Sequence, residues 1–75
     1  MNENEFVEMY IKDLDSSKID EIYSAVKDDR EALEPDLQVR DDGHSVIMVG
    51  FKNQYTRQRF IGKFSGKFPG TIDWR

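Results

Sequence analysis

The chain predicts an α+β plait, in which one antiparallel sheet of four strands carries two helices on a single face. Three observations predict it. Residues 6–14 alternate Val7, Met9 and Ile11 with Glu8, Tyr10 and Lys12, the period of a strand with one buried face. Ile19, Ile22, Tyr23 and Val26 instead recur at helical spacing, as do Phe60, Ile61 and Phe64 further on. Asp41-Asp42-Gly43 between two apolar runs has the composition of a hairpin turn. The order is therefore βαββαβ, and right-handed crossovers bring both helices to the same side.

Each element follows from local chemistry. Residues 1–5 form a polar N-terminal tail, and residues 6–75 form a single domain that begins with the strand over 6–14. Asp15-Ser16-Ser17 caps the first helix, with Ser17 spent on the cap and Asp20 and Glu21 favourable to the helix dipole. That helix extends through the charged stretch 27–33 and stops before Pro35, which disfavours helical backbone in the residue preceding it.

Residues 36–40 and 44–51 are the hairpin strands. A two-residue Asp42-Gly43 turn would set Val39 beside Val46. A three-residue loop with left-handed Gly43 shifts the register by one and gathers Leu37 and Val39 with Ile47, Val49 and Phe51. The second register is preferred because it collects the larger apolar set into one core. Residues 54–64 form a second amphipathic helix that ends near Ser65-Gly66, despite Gly62, which costs about 1 kcal/mol against alanine. Pro69-Gly70 then turns the chain into a last short strand over 71–74.

Composition bounds the function classes. Seventy-five residues support one small core and no deep substrate cavity. The absence of cysteine excludes disulfides, thiol catalysis and thiolate metal sites. The acidic N-terminus is unlike a signal peptide, and no apolar run reaches the roughly 18 residues of a membrane span, so a cytoplasmic protein with no membrane partner is expected. Small size alone suggests a phage or mobile-element source. Charge divides along the chain: residues 1–42 carry fourteen of the fifteen Asp and Glu against five Lys and Arg, whereas residues 43–75 carry one against six.

Met9-Tyr10-Ile11-Lys12-Asp13-Leu14, Phe51-Lys52-Asn53, Phe60-Ile61, Phe64 and Ser65-Gly66-Lys67 together resemble the RNA-recognition-motif domains. Such domains have the ferredoxin-like plait, and the resemblance implies that Tyr10 projects from the open sheet face to stack a base. The pattern departs from the family at Val46 and Met48, where the family's octamer is normally aromatic. Stacking on an aromatic ring contributes roughly 1–3 kcal/mol per base, so two absent platforms weaken that mode of binding. Pro35-Asp36, Val39-Arg40, Ser45-Val46 and Lys52 resemble, more loosely, the small DNA-damage-inducible regulators that act on the RecA recombinase.

Two kinds of site emerge from the residues. Tyr10, Val46 and Met48 make an apolar strip opposite the helices, suited to a protein partner or to self-association. Lys52, Arg57, Arg59, Lys63 and Lys67, with Arg75, are candidate phosphate contacts for a nucleic-acid-binding module. The glycines of residues 62–70 do not form a phosphate loop, because three residues separate Gly62 from Gly66 and Phe68 follows Lys67. His44 with Asp41 and Asp42 lies in one solvated turn and is not a convincing metal set. No nucleophile is supported by a base, so no enzyme activity, catalytic residue or cofactor is expected. Binding of a protein partner is favoured over nucleic acid, because acidic and basic helices side by side would pair with each other.

Overall fold

The computed structural model describes residues 5–75, so residues 1–4 of the expected 1–5 tail lie outside the described residues, and Glu5, placed in that tail, instead opens the first strand by pairing opposite Phe51. The elements are β1 (Glu5–Ile11), α1 (Ser16–Asp28), β2 (Leu33–Val39), β3 (Ser45–Phe51), α2 (Gln54–Lys67) and β4 (Ile72–Trp74). The strands form one antiparallel sheet in the order β2-β3-β1-β4. This is a ferredoxin-like βαββαβ plait.

The period-two residues of β1 and β3 form the floor of the core. Val7 pairs with Val49 and Met9 with Ile47. Ile19, Ile22 and Val26 of α1 and Phe60 and Phe64 of α2 pack onto that floor. Phe60 stacks on Phe64 at 4.2 Å between ring centroids and meets Trp74 edge-on at 6.0 Å. Such aromatic pairs contribute about 0.5–1.5 kcal/mol each beyond the area they bury.

The helix ends differ from expectation for identifiable reasons. Asp15 rather than Ser17 is the N-cap of α1: its carboxylate accepts from the Ser17 amide at 3.0 Å, and its charge suits the helix N-terminus. Helix α1 stops at Asp28 instead of running into 27–33, because Asp29 turns extended and its carboxylate accepts from the Glu31 amide at 2.9 Å. Helix α2 runs past Ser65-Gly66 to Lys67, which brings Phe68 into the core below Phe64. Its start is fixed by a reciprocal capping box between Asn53 and Thr56.

The β2–β3 hairpin has the three-residue loop. The Arg40 amide donates to the His44 carbonyl at 2.8 Å, and Gly43 takes a φ of +86° that a side chain would strain. Leu37 lies opposite Ile47 and reaches the core. Val39, expected in that core, is 71 % exposed, since it sits on the edge strand opposite Ser45, at the loop end of β2. Strand β2 begins before Pro35, earlier than the expected 36–40. It accommodates the proline because a bulge between Leu33 and Asp36, with Glu34 at a φ of +49°, interrupts the edge pairing.

Candidate functional site

Both helices cover one face of the sheet, so the opposite face is the candidate site. The strand register arranges it in rows. Leu33, Gly50 and Phe6 form one row, and Asp36, Met48, Glu8 and Arg75 the next. Gln38, Val46, Tyr10 and Asp73 form a third, beyond which lie Arg40 and His44.

Around Tyr10 the face is polar and closed on itself. The Tyr10 hydroxyl donates to Asp42 at 2.6 Å, and Asp42 also accepts from the His44 amide at 2.9 Å. The His44 ring stacks on the Tyr10 ring at 5.0 Å between centroids, and the Arg75 guanidinium lies 4.0 Å from the Tyr10 centroid. His44 precedes β3 and Arg75 follows β4, so the ring is held from the strands on both sides of β1. The hydrogen bond to Asp42 comes first among the causes that raise the Tyr10 hydroxyl above its ordinary pKa, with Arg75 opposing. In turn the Tyr10 hydroxyl, followed by the His44 amide, holds the Asp42 carboxyl below the usual range.

The expected strip of Tyr10, Val46 and Met48 is on this face, but it is not a strip of exposed apolar surface. Val46 is 1 % exposed. Tyr10 flanks it within its row, and the ion pair of Glu8 with Arg40 spans β3 diagonally across its position. Met48 alone of the three offers apolar surface, at 39 % exposure.

That surface continues the other way, to residues the sequence reading did not include. Phe6 is 66 % and Leu33 40 % exposed, and with Met48 they line a shallow groove floored by Gly50. A Cβ on Gly50 would stand 3.1 Å from Phe6 Cε1, so the glycine is what lets the ring lie over the sheet. Glu34, Asp36 and Gln38 complete the groove on its β2 side. Phe6 was legible as the residue that alternates with Glu8 and Tyr10, but Leu33 reaches this face through the bulge, for which the sequence holds no simple signal.

The candidate phosphate contacts lie elsewhere. Arg59 pairs with Glu31, and Lys63 with Asp29 at 2.5 Å, both tying α2 to the α1–β2 connection. Burial pushes the Asp29 carboxyl upward, but Lys63 and the Glu31 amide together hold it below the ordinary range. Arg57 donates from Nε to the Phe6 carbonyl at 3.2 Å, and Lys67 stands 6.0 Å from the Phe68 ring centroid. Lys52 is exposed at the β3–α2 junction and has no carboxylate partner among the described residues. These five residues do not converge with Tyr10.

Among the described residues, no three His, Asp or Glu side chains gather as a metal-ligating group, and no helix is long and apolar enough to cross a membrane. Neither a protein-family model, nor a curated protein, nor a solved structure matches the chain.

Proposed function

We propose that this domain acts by binding, without catalysis, and that it docks a protein partner on the apolar half of its open sheet face. The observation that carries the reading is the contiguous exposure of Phe6, Leu33 and Met48 on a face that no other element covers among the described residues. Apolar side chains grouped this way on a small domain mark interaction sites more often than isolated ones do. Methionine adapts to an irregular partner, and methionine and aromatic residues are enriched at the cores of interfaces.

The rival reading is a nucleic-acid module of the RNA-recognition-motif type, and the shared element order supports it. Against it stands the use of Tyr10, whose hydroxyl and ring are already engaged by Asp42, His44 and Arg75. Glu8, Asp36, Asp42 and Asp73 lie on that face or at its loop end, against Arg40 and Arg75, a balance that repels phosphate.

Two measurements test the proposal. Titration with labelled single-stranded RNA and DNA from low to physiological salt is expected to give weak binding that Tyr10→Ala leaves unchanged. A random-peptide display selection is expected to enrich binders on the wild-type protein and none on Phe6→Ser. Tight, steeply salt-dependent nucleic-acid binding that Tyr10→Ala abolishes would overturn the reading, as would peptide enrichment indifferent to Phe6.

A further inference from the structure

The groove has a charged wall as well as an apolar floor. Its β2 side carries Glu34 and Asp36, and neither is in an ion pair among the described residues. On the same face Glu8 is paired with Arg40 and Asp73 with Arg75. Asp36 accepts only the neutral amide of Gln38, at 2.8 Å. The chain also holds Glu34 at a φ of +49°, a left-handed conformation that strains a residue with a side chain. The bulge there brings Leu33 and Glu34 to the groove together.

From this we infer that the occupant of the groove is a protein segment in which an apolar side chain is flanked by lysine or arginine. The inference rests on the reading of the groove as a protein-docking site and adds the chemistry of its partner. The apolar side chain seats between Phe6 and Leu33 over Met48, and the flanking cations meet Glu34 and Asp36. The rim distinguishes this occupant from its competitors. A second copy of the chain, brought face to face, would bring two more uncompensated carboxylates into the same interface and no added cation to neutralise them beside Glu34 and Asp36, where like charges oppose association. An acidic segment meets the same repulsion.

The test uses three fluorescein-labelled heptapeptides that share a central Ile-Phe pair and carry lysines, serines or glutamates on both sides. Fluorescence anisotropy is read on the whole chain at low salt. The lysine peptide is expected to bind about tenfold more tightly than the glutamate peptide, the scale of two exposed charge contacts, and the preference shrinks in 1 M salt. The double variant Glu34→Lys, Asp36→Lys reverses the order, with circular dichroism confirming an unchanged fold, since both side chains are exposed. Phe6→Ala weakens all three peptides.

Binding that depends on Phe6 but ignores flanking charge, or an order that survives the charge reversal, overturns this inference and leaves the docking site standing. If none of the three peptides binds the wild-type protein, both the inference and the docking site fail. A concentration-dependent dimer in sedimentation velocity that Phe6→Ala dissolves would assign the groove to a second copy instead.

Discussion

Replacing Lys63 with methionine separates the contribution of charge from that of packing in the link between α2 and the α1–β2 connection. The Asp29 side chain is only 6 % exposed, and its carboxylate is held by Lys63 at 2.5 Å and by the Glu31 amide at 2.9 Å. Methionine keeps most of the aliphatic stem and the helix propensity of lysine, so the variant removes mainly the ammonium. A hydrogen bond between charged groups contributes roughly 1.5–3 kcal/mol, but Lys63 is 55 % exposed and the pair is partly screened. The expected loss at pH 7 is therefore about 1–2 kcal/mol, or a fall in Tm of roughly 5–15 °C for a domain this small. The pH dependence follows from the depressed Asp29 pKa. A carboxylate whose folded pKa lies below its unfolded value contributes stability above the unfolded value and loses it as pH falls through the folded one. The gap between wild type and variant should accordingly be full at neutral pH and narrow once pH drops below the ordinary aspartate value of 3.8. Urea denaturation of both proteins from pH 7 to pH 3 measures it. A gap that persists unchanged into acid would show that the ammonium acts through something other than the Asp29 charge.

Gly50→Ala should leave stability within about 1 kcal/mol of wild type, because alanine gains roughly 0.5–1 kcal/mol over glycine inside a strand while only the exposed end of the Phe6 ring must move. The same change should weaken the lysine-flanked peptide, and a urea-measured loss beyond about 2 kcal/mol would mean that the Phe6 ring is locked in place. Asp42→Asn removes the carboxylate that raises the Tyr10 hydroxyl, so ultraviolet titration should show one phenol moving down toward its ordinary value of 10.0. Since the raised pKa favours the neutral phenol in the folded state, that bond stabilises the wild type below the unfolded value and ceases to do so as pH rises through the folded one. A Tyr10 titration identical in the two proteins would break the argument.

The fold was legible where one physical period dominated. Alternation in β1 and β3 and the helical spacing of Ile19, Ile22 and Val26 named most of the core, and Asp41-Asp42-Gly43 set the hairpin register. Helix α1 ended early through a local turn that apolar periodicity does not reveal: Asp29 turns extended and accepts from the Glu31 amide, and Lys63 of α2 pairs with the same carboxylate. Val39 satisfied the register and still lay exposed, because pattern assigns a face but not the extent of the helices above it. The candidate site was legible only in part for the same reason. Tyr10, Val46 and Met48 were placed on one face by alternation, whereas the engagement of Tyr10 depends on Asp42 and Arg75, which only the closed sheet brings near.

The features that border the groove also bear on how the chain avoids itself. Strand β2 is a sheet edge beside exposed apolar side chains, a combination that invites strand pairing between copies. Pro35 lacks an amide to offer another strand, and the bulge at Glu34 breaks the run of regular pairing groups. Glu34 and Asp36 then place unneutralised charge on the wall of the groove that borders that edge. Such protections act against a like-charged copy and leave access to a segment that supplies opposite charge. Selection against aggregation and selection for a basic partner would thus retain the same two carboxylates. The two roles part in the Glu34→Lys, Asp36→Lys variant: like charge still meets like charge between copies, so a role in avoidance alone predicts neither aggregation nor a change in peptide preference, whereas recognition predicts that the preference inverts.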